Sequence, residues 1–222
     1  SDLAAMGATP LAFTLALTLP SATEAWLAEF ARGLQTMAQS CSLALVGGDT
    51  TRGPLSLTLT VFGRVPNGQA LLRSGAQVGD LLCVGGELGD AAGALPLVLG
   101  QREAAADISE ALLARYWSPQ PQLALGEVLR GKATAALDIS DGLLADCGHI
   151  AAASGVALHI DQAEVALSPA LQALAGERAL DCALAGGDDY RLAFTLPPEL
   201  LPSLRAQWPE ASAIGRVRAG QG

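Results

Sequence analysis

Half of the 222 residues are apolar, enough for one large core or two smaller ones around separate sheets, which excludes a disordered chain. The net charge is −9, and the 12 arginines and single Lys132 form no basic cluster. This argues against a nucleic-acid partner and leaves any phosphate ligand in need of divalent cations held by carboxylates. No apolar run reaches membrane-spanning length and no basic region opens the chain ahead of a signal-like core, so neither a membrane partner nor export is expected.

The chain opens on Ser1-Asp2-Leu3 without a methionine, so an N-terminal portion is expected to be missing. Leu11, Phe13, Leu15, Leu17 and Leu19 alternate with small polar residues and predict a half-buried strand. Ser21 and Glu24 read as a capping box, and Trp26, Leu27, Phe30, Leu34, Met37 and Cys41 follow at helical spacing, so 22–40 is expected to be an amphipathic helix. A short strand over 43–46 runs into Gly47-Gly48-Asp49. The alternation of Leu55, Leu57, Leu59 and Val61 predicts a third strand ending near Arg64, with one face exposed or paired with a partner subunit.

Composition changes at the Pro66-Asn67-Gly68 turn, which places a domain boundary there: 1–65 a partial N-terminal domain, 66–222 a second one. Beyond it the pattern gives a buried strand at 81–84, the loop Gly85 to Gly89 and a helix through the nineties. Two helices flank Pro119 and Pro121, a strand spans 134–139, and a helix over 143–154 closes at Gly155. A strand at 156–160, a short helix before Gly186, a strand at 190–195, a helix near 198–206 and a strand near 212–217 complete the chain. The fold class is therefore α/β to α+β in two domains.

One arrangement recurs: an apolar strand, small residues, then a carboxylate. Gly47-Gly48-Asp49, Asp138-Ile139-Ser140-Asp141-Gly142 and Gly186-Gly187-Asp188-Asp189 share it, and Asp2 sits in a similar setting. A single such motif reads first as a turn whose aspartate bonds its own backbone. Four in one chain favour carboxylates converging on Mg²⁺, with glycine amides open to phosphate. Asp138 and Asp141 form the best pair, Ser140 being placed to reach a phosphate, although Asp141 also reads as an N-cap. Asp49-Thr50-Thr51-Arg52 sets hydroxyls and a guanidinium beside a carboxylate, as around a metal-bound triphosphate. Arg73-Ser74-Gly75 is weaker, and Gly85 to Gly89 matches neither phosphate-loop pattern. Lys132 lies in no such loop, which excludes a Walker-type kinase. Cys41, Cys83, Cys147 and Cys182 are expected as buried free thiols of a cytoplasmic protein, and His149 and His159 lack ligand partners.

Taken in order, Ser1 to Ala8, Gly47 to Gly53, Arg73 to Ala76, Asp138 to Leu143 and Gly186 to Tyr190 resemble the bacterial thiamine-monophosphate kinase family, within the aminoimidazole ribonucleotide synthetase-like superfamily. The resemblance covers essentially the whole chain. It implies an N-terminal ATP-binding α/β domain and a C-terminal α+β domain, with N-terminal sheets pairing in a homodimer. It implies an ATP- and Mg-dependent transfer of a phosphate to thiamine monophosphate, giving thiamine diphosphate, without a phosphoenzyme or a general base. By the same resemblance Asp2, Asp49, Asp138 and Asp141 would bind Mg²⁺; Gly48, Asp49, Arg73 and Ser140 would contact ATP; Asp189 would seat thiamine phosphate. The family carries further metal-binding aspartates before Asp2 and an aromatic contact at its C-terminus, so the chain is expected to lack both. The alternatives are another ATP-dependent synthetase of the superfamily, or a nucleotide-binding fragment without activity.

Overall fold

The structure, a computed structural model, describes residues 1–220. The chain begins with a one-turn helix, α1 (Asp2–Ala5), followed by strand β1 (Thr9–Leu19), helix α2 (Glu24–Ser40) and strands β2 (Ala44–Arg52) and β3 (Ser56–Arg64). β1 lies in the middle of a three-stranded sheet, parallel to β2 and antiparallel to β3. The parallel pair needs a crossover, which α2 supplies. Thr23, not Ser21, caps α2, its hydroxyl accepting the Trp26 N–H at 3.4 Å.

Register puts Leu15, Leu17 and Phe13 of β1 beside Leu59, Leu57 and Val61 of β3, so one face is leucine-rich and the other threonine-rich. Phe13, Leu17 and Leu19 are buried on the leucine face, yet Leu57 and Leu59 remain 44% and 47% exposed. α2 buries none of its residues completely. The β3 leucines, for which the alternation anticipated either exposure or a partner subunit, are therefore partly exposed in the single chain.

The second sheet is antiparallel throughout, in the order β5-β7-β4-β8-β6, with β4 Leu81–Val84, β5 Ala135–Asp138, β6 Ala157–Ile160, β7 Leu192–Leu196 and β8 Ser212–Arg218. Its central strands are apolar on both faces because helices cover both. Leu82, Val84 and Leu137 pack with Leu143, Cys147 and Ile150 of α6 (Leu143–Ser154). Leu81, Cys83 and Phe194 pack on the other side with Leu125 and Leu129 of α5 (Leu123–Leu129). A third cluster joins α3 (Asp90–Val98), α4 (Ala106–Trp117) and α7 (Pro169–Ala175) through Ala94, Leu112 and Leu171. α8 (Ala179–Ala185) and α9 (Leu201–Gln207) complete the helices. The α/β unit and the antiparallel α+β unit follow the expected fold class; α7 had no clear signature in the sequence.

Candidate functional site

The C-terminal end of β5 organises the site. Past Asp138 the chain leaves the sheet but stays paired with the loop before β7: Ile139 N–H donates to Arg191 O at 2.8 Å, Tyr190 N–H to Ile139 O at 2.8 Å and Asp188 N–H to Ser140 O at 2.9 Å. The two aspartate-bearing loops thus lie side by side. Tyr190 adopts a left-handed backbone (φ 50°), a costly conformation for an aromatic residue, and its hydroxyl donates to Asp188 at 2.9 Å. That hydrogen bond, and then burial, raise the pKa of the Tyr190 phenol.

α1 reaches this end of the sheet through two close contacts. Its backbone rests on α5 at Gly126, where an added Cβ would lie 2.2 Å from Ala4 O, so only glycine permits the approach. The segment after the turn is pinned between α1 and β5, with Leu71 N–H donating to Met6 O at 3.1 Å and Ala136 N–H to Leu72 O at 2.8 Å. The result is a cavity of about 320 Å³ lined by Asp2, Met6, Leu72, Arg73 and Asp138. Ser154 at the end of α6 steadies the Arg73 turn by accepting the Gly75 and Ala76 N–H groups and donating to Arg73 O.

Asp189 lies apart from that cavity. Its two oxygens accept the Gly89 N–H at 2.9 and 3.0 Å, and it borders a small recess with Glu87, Asp90, Arg115 and Arg191. Burial pushes its carboxyl up to about 7, with the Gly89 bonds opposing and Asp90 reinforcing the rise. A cavity of about 530 Å³ continues from Glu87, Asp90 and Arg115 over α4 and α7. There Asp90 accepts from Ser168 at 2.6 Å and lies 3.8 Å from Arg115. Burial, then Arg115, lower the pKa of the Arg191 guanidinium.

Gly48 and Asp49 stand elsewhere. Gly47-Gly48-Asp49 is no turn: β2 runs straight through it, because the pairing with β1 continues from Leu15↔Gly48 to Leu19↔Arg52. Asp49 is exposed, accepts the Thr50 N–H at 2.9 Å and lines neither cavity. Thr50, Thr51 and Arg52 instead border a hollow of about 380 Å³ with Leu19 to Ala22.

Backbone amides in two of the loops are already engaged within the chain. In the Gly85 to Gly89 loop the N–H groups of Gly85, Leu88 and Gly89 already donate to Leu192 O, Ala166 O and Asp189. In the loop after β5, the N–H groups of Ser140, Asp141 and Gly142 all donate to the Asp146 carboxylate at 2.9, 3.0 and 3.2 Å. Reading the sequence by motif missed Asp146, whose one signal was a carboxylate in the first turn of the helix after the loop. It also missed Gln122, which is buried and ties Gly85 O to Leu192 N–H.

The carboxylates of Asp2, Asp138 and Asp141 have no hydrogen bond or ion pair among the described residues. Free hard oxygens of this kind suit Mg²⁺, which keeps several waters and uses one or two carboxylates with ligand phosphates. The converging cluster foreseen from the motifs is smaller, since no three His, Cys, Asp or Glu gather at ligating distance among the described residues. The reason is visible in the fold: Asp49 belongs to the other sheet and Asp146 turns inward. Cysteine chemistry is unsupported, because burial pushes the Cys83 and Cys147 thiols up to about 12. His149 and His159 are exposed.

The class of fold follows from two family models: AIR synthase related protein, N-terminal domain, over residues 1–65, and AIR synthase related protein, C-terminal domain, over 77–222. The Escherichia coli K12 thiamine-monophosphate kinase is 48% identical over 200 residues, covering 89% of this chain and 61% of that protein. The crystal structure of thiamine-monophosphate kinase from Stenotrophomonas maltophilia K279a superimposes with a TM-score of 0.95 at 48% identity, over 100% of this chain and 73% of that one. AaThiL complexed with AMPPCP and TMP gives a TM-score of 0.91 at 31% identity, covering 100% and 71%. The chain belongs to the thiamine-monophosphate kinase family. It spans about three fifths of the length of the curated E. coli relative.

Proposed function

We propose that this chain is the phosphate-handling core of an enzyme that transfers the γ-phosphate of ATP to thiamine monophosphate, giving thiamine diphosphate and ADP. The observation that carries the reading is the joining of Asp2, Arg73 and Asp138 in one cavity, beside the loop bearing Ser140 and Asp141. Mg²⁺ held there would neutralise the charge between two phosphorylated molecules. Asp2, Asp138 and Asp141 have the free oxygens for it, and Asp49 is assigned a further ion. Gly48, Asp49, Arg73 and Ser140 are assigned to ATP, and Asp189 to thiamine phosphate. No general base is needed, since in-line transfer to a phosphate oxygen rests on positioning and charge neutralisation. The relative complexed with AMPPCP and TMP supports the ligand pair.

A homodimer and a cytoplasmic location belong to the same proposal. Leu57, Leu59 and Val61 on an open sheet face support the first; three buried free cysteines and a fourth half-buried one support the second. No helix among the described residues is long and apolar enough to cross a membrane. A second reading, nucleotide binding without turnover, is favoured by the position of Asp49 outside the cavity of Asp2 and Asp138. Incubation with Mg-ATP and thiamine monophosphate, with products separated by chromatography, decides between them. Thiamine diphosphate formed in proportion to ADP is the expected result. Mg-ATP binding without product would establish the second reading, and no binding of either ligand would overturn both.

A further inference from the structure

Asp146 is 5% exposed at the start of α6, and one of its oxygens, Oδ2, accepts three consecutive backbone N–H groups. Consecutive amides aimed at one point form an anion-binding concavity, the feature that lets glycine loops hold phosphate. Here the concavity is filled from within, by a carboxylate of the same chain. No phosphate can use those amides, while Ser140 and Asp141, with Asp138 before them, keep side chains that no other residue engages among the described residues. The fixed negative charge behind the loop also favours a cation in front of it. The hold extends to the second loop, because Ser140 O accepts the Asp188 N–H at 2.9 Å.

We propose that Asp146 is a positioning residue which closes the Ser140 to Gly142 amides to phosphate and fixes the loop so that Asp138 and Asp141 meet a metal ion, making the site dependent on cations for phosphate binding. This rests on the reading of Asp138 and Asp141 as metal ligands given above. Removing a group that orients metal ligands lowers metal affinity by about 10- to 100-fold in comparable sites.

The test uses the full 222-residue chain and its Asp146→Ala, Asp146→Asn and Asp141→Asn variants. Mg²⁺ and Mg-ATP binding are measured by calorimetry, and exchange of the Ser140, Asp141 and Gly142 amides by NMR. Asp146→Ala is expected to speed exchange at all three amides and to weaken Mg²⁺ about tenfold or more. Asp146→Asn keeps an acceptor oxygen and should give a loss of about threefold, a graded rescue that general destabilisation would not produce. Unchanged exchange, or unchanged metal affinity in both Asp146 variants, overturns the proposal. If Asp146→Ala does not fold, Asp146→Asn alone decides by the same two readouts. Should Asp141→Asn bind Mg²⁺ like the parent, the metal reading falls instead, and amide exchange still judges whether Asp146 holds the loop.

Discussion

Asp189 shows how one environment sets a residue apart from the other aspartates. With its carboxyl pushed to about 7, it keeps its proton in the folded chain at pH values where the unfolded chain has lost it, above roughly 4. Its contribution is therefore fully present below about pH 4 and is lost as the pH rises through 7, on the order of 4 kcal/mol across that window. Urea unfolding at several pH values should show Asp189→Asn gaining stability relative to the parent between pH 4 and 7.5. Parallel curves would show that Asp189 ionises normally. Asp49 calls for the opposite kind of test, since it is exposed and its side chain accepts only the neighbouring Thr50 N–H among the described residues. Asp49→Asn is expected to keep the parent melting temperature and weaken Mg-ATP by about tenfold or more, measured by calorimetry. Both aspartates were legible as candidates from glycine-carboxylate motifs. Their difference was not, because the motif says nothing about which amides lie across from the side chain.

At the scale of elements, β2 is the clearest case of tertiary pairing overriding a local signal. Gly47-Gly48-Asp49 has the composition of a turn, yet the ladder with β1 extends it into a nine-residue strand. Gly48 has φ 149° and its missing Cβ would fall 1.9 Å from Leu15 O, so the two strands meet only because the residue is glycine. Gly48→Ala is expected to cost about 1–3 kcal/mol in denaturant unfolding and to weaken Mg-ATP by displacing Asp49. An unchanged midpoint would mean that β2 does not sit on β1 as described. Helices and strands with long clean periods, such as β1, α2, β3 and α6, were legible because the spacing of apolar residues reports the type of element without any long-range contact. α7 was missed because its apolar residues face α3 and α4 rather than a sheet, and its short span carries too little pattern.

For the molecule as a whole, the β3 end of the leucine face, Leu57, Leu59 and Val61, is left partly uncovered in the single chain. If it pairs in a homodimer, the melting temperature of the parent rises with protein concentration, as linkage requires. The Leu57→Ser/Leu59→Ser pair should then remove that dependence and reduce the sedimenting mass to that of one chain. Residues about half exposed in an isolated subunit would cost little when replaced, so a concentration-independent melt in the parent would count against the dimer.

Composition and periodicity by themselves determined the kind of protein: an acidic α/β to α+β chain with aspartates beside small residues, suited to cations and phosphates rather than nucleic acid. Those properties are local, since each depends on charge or on a spacing of two to four residues. Only the tertiary structure decided which aspartates meet. It brought Asp2 to Asp138 through the packing of α1 on α5 and left Asp49 on another sheet. Contacts between residues more than a hundred positions apart are set by how sheets and helices pack, and no local pattern records that.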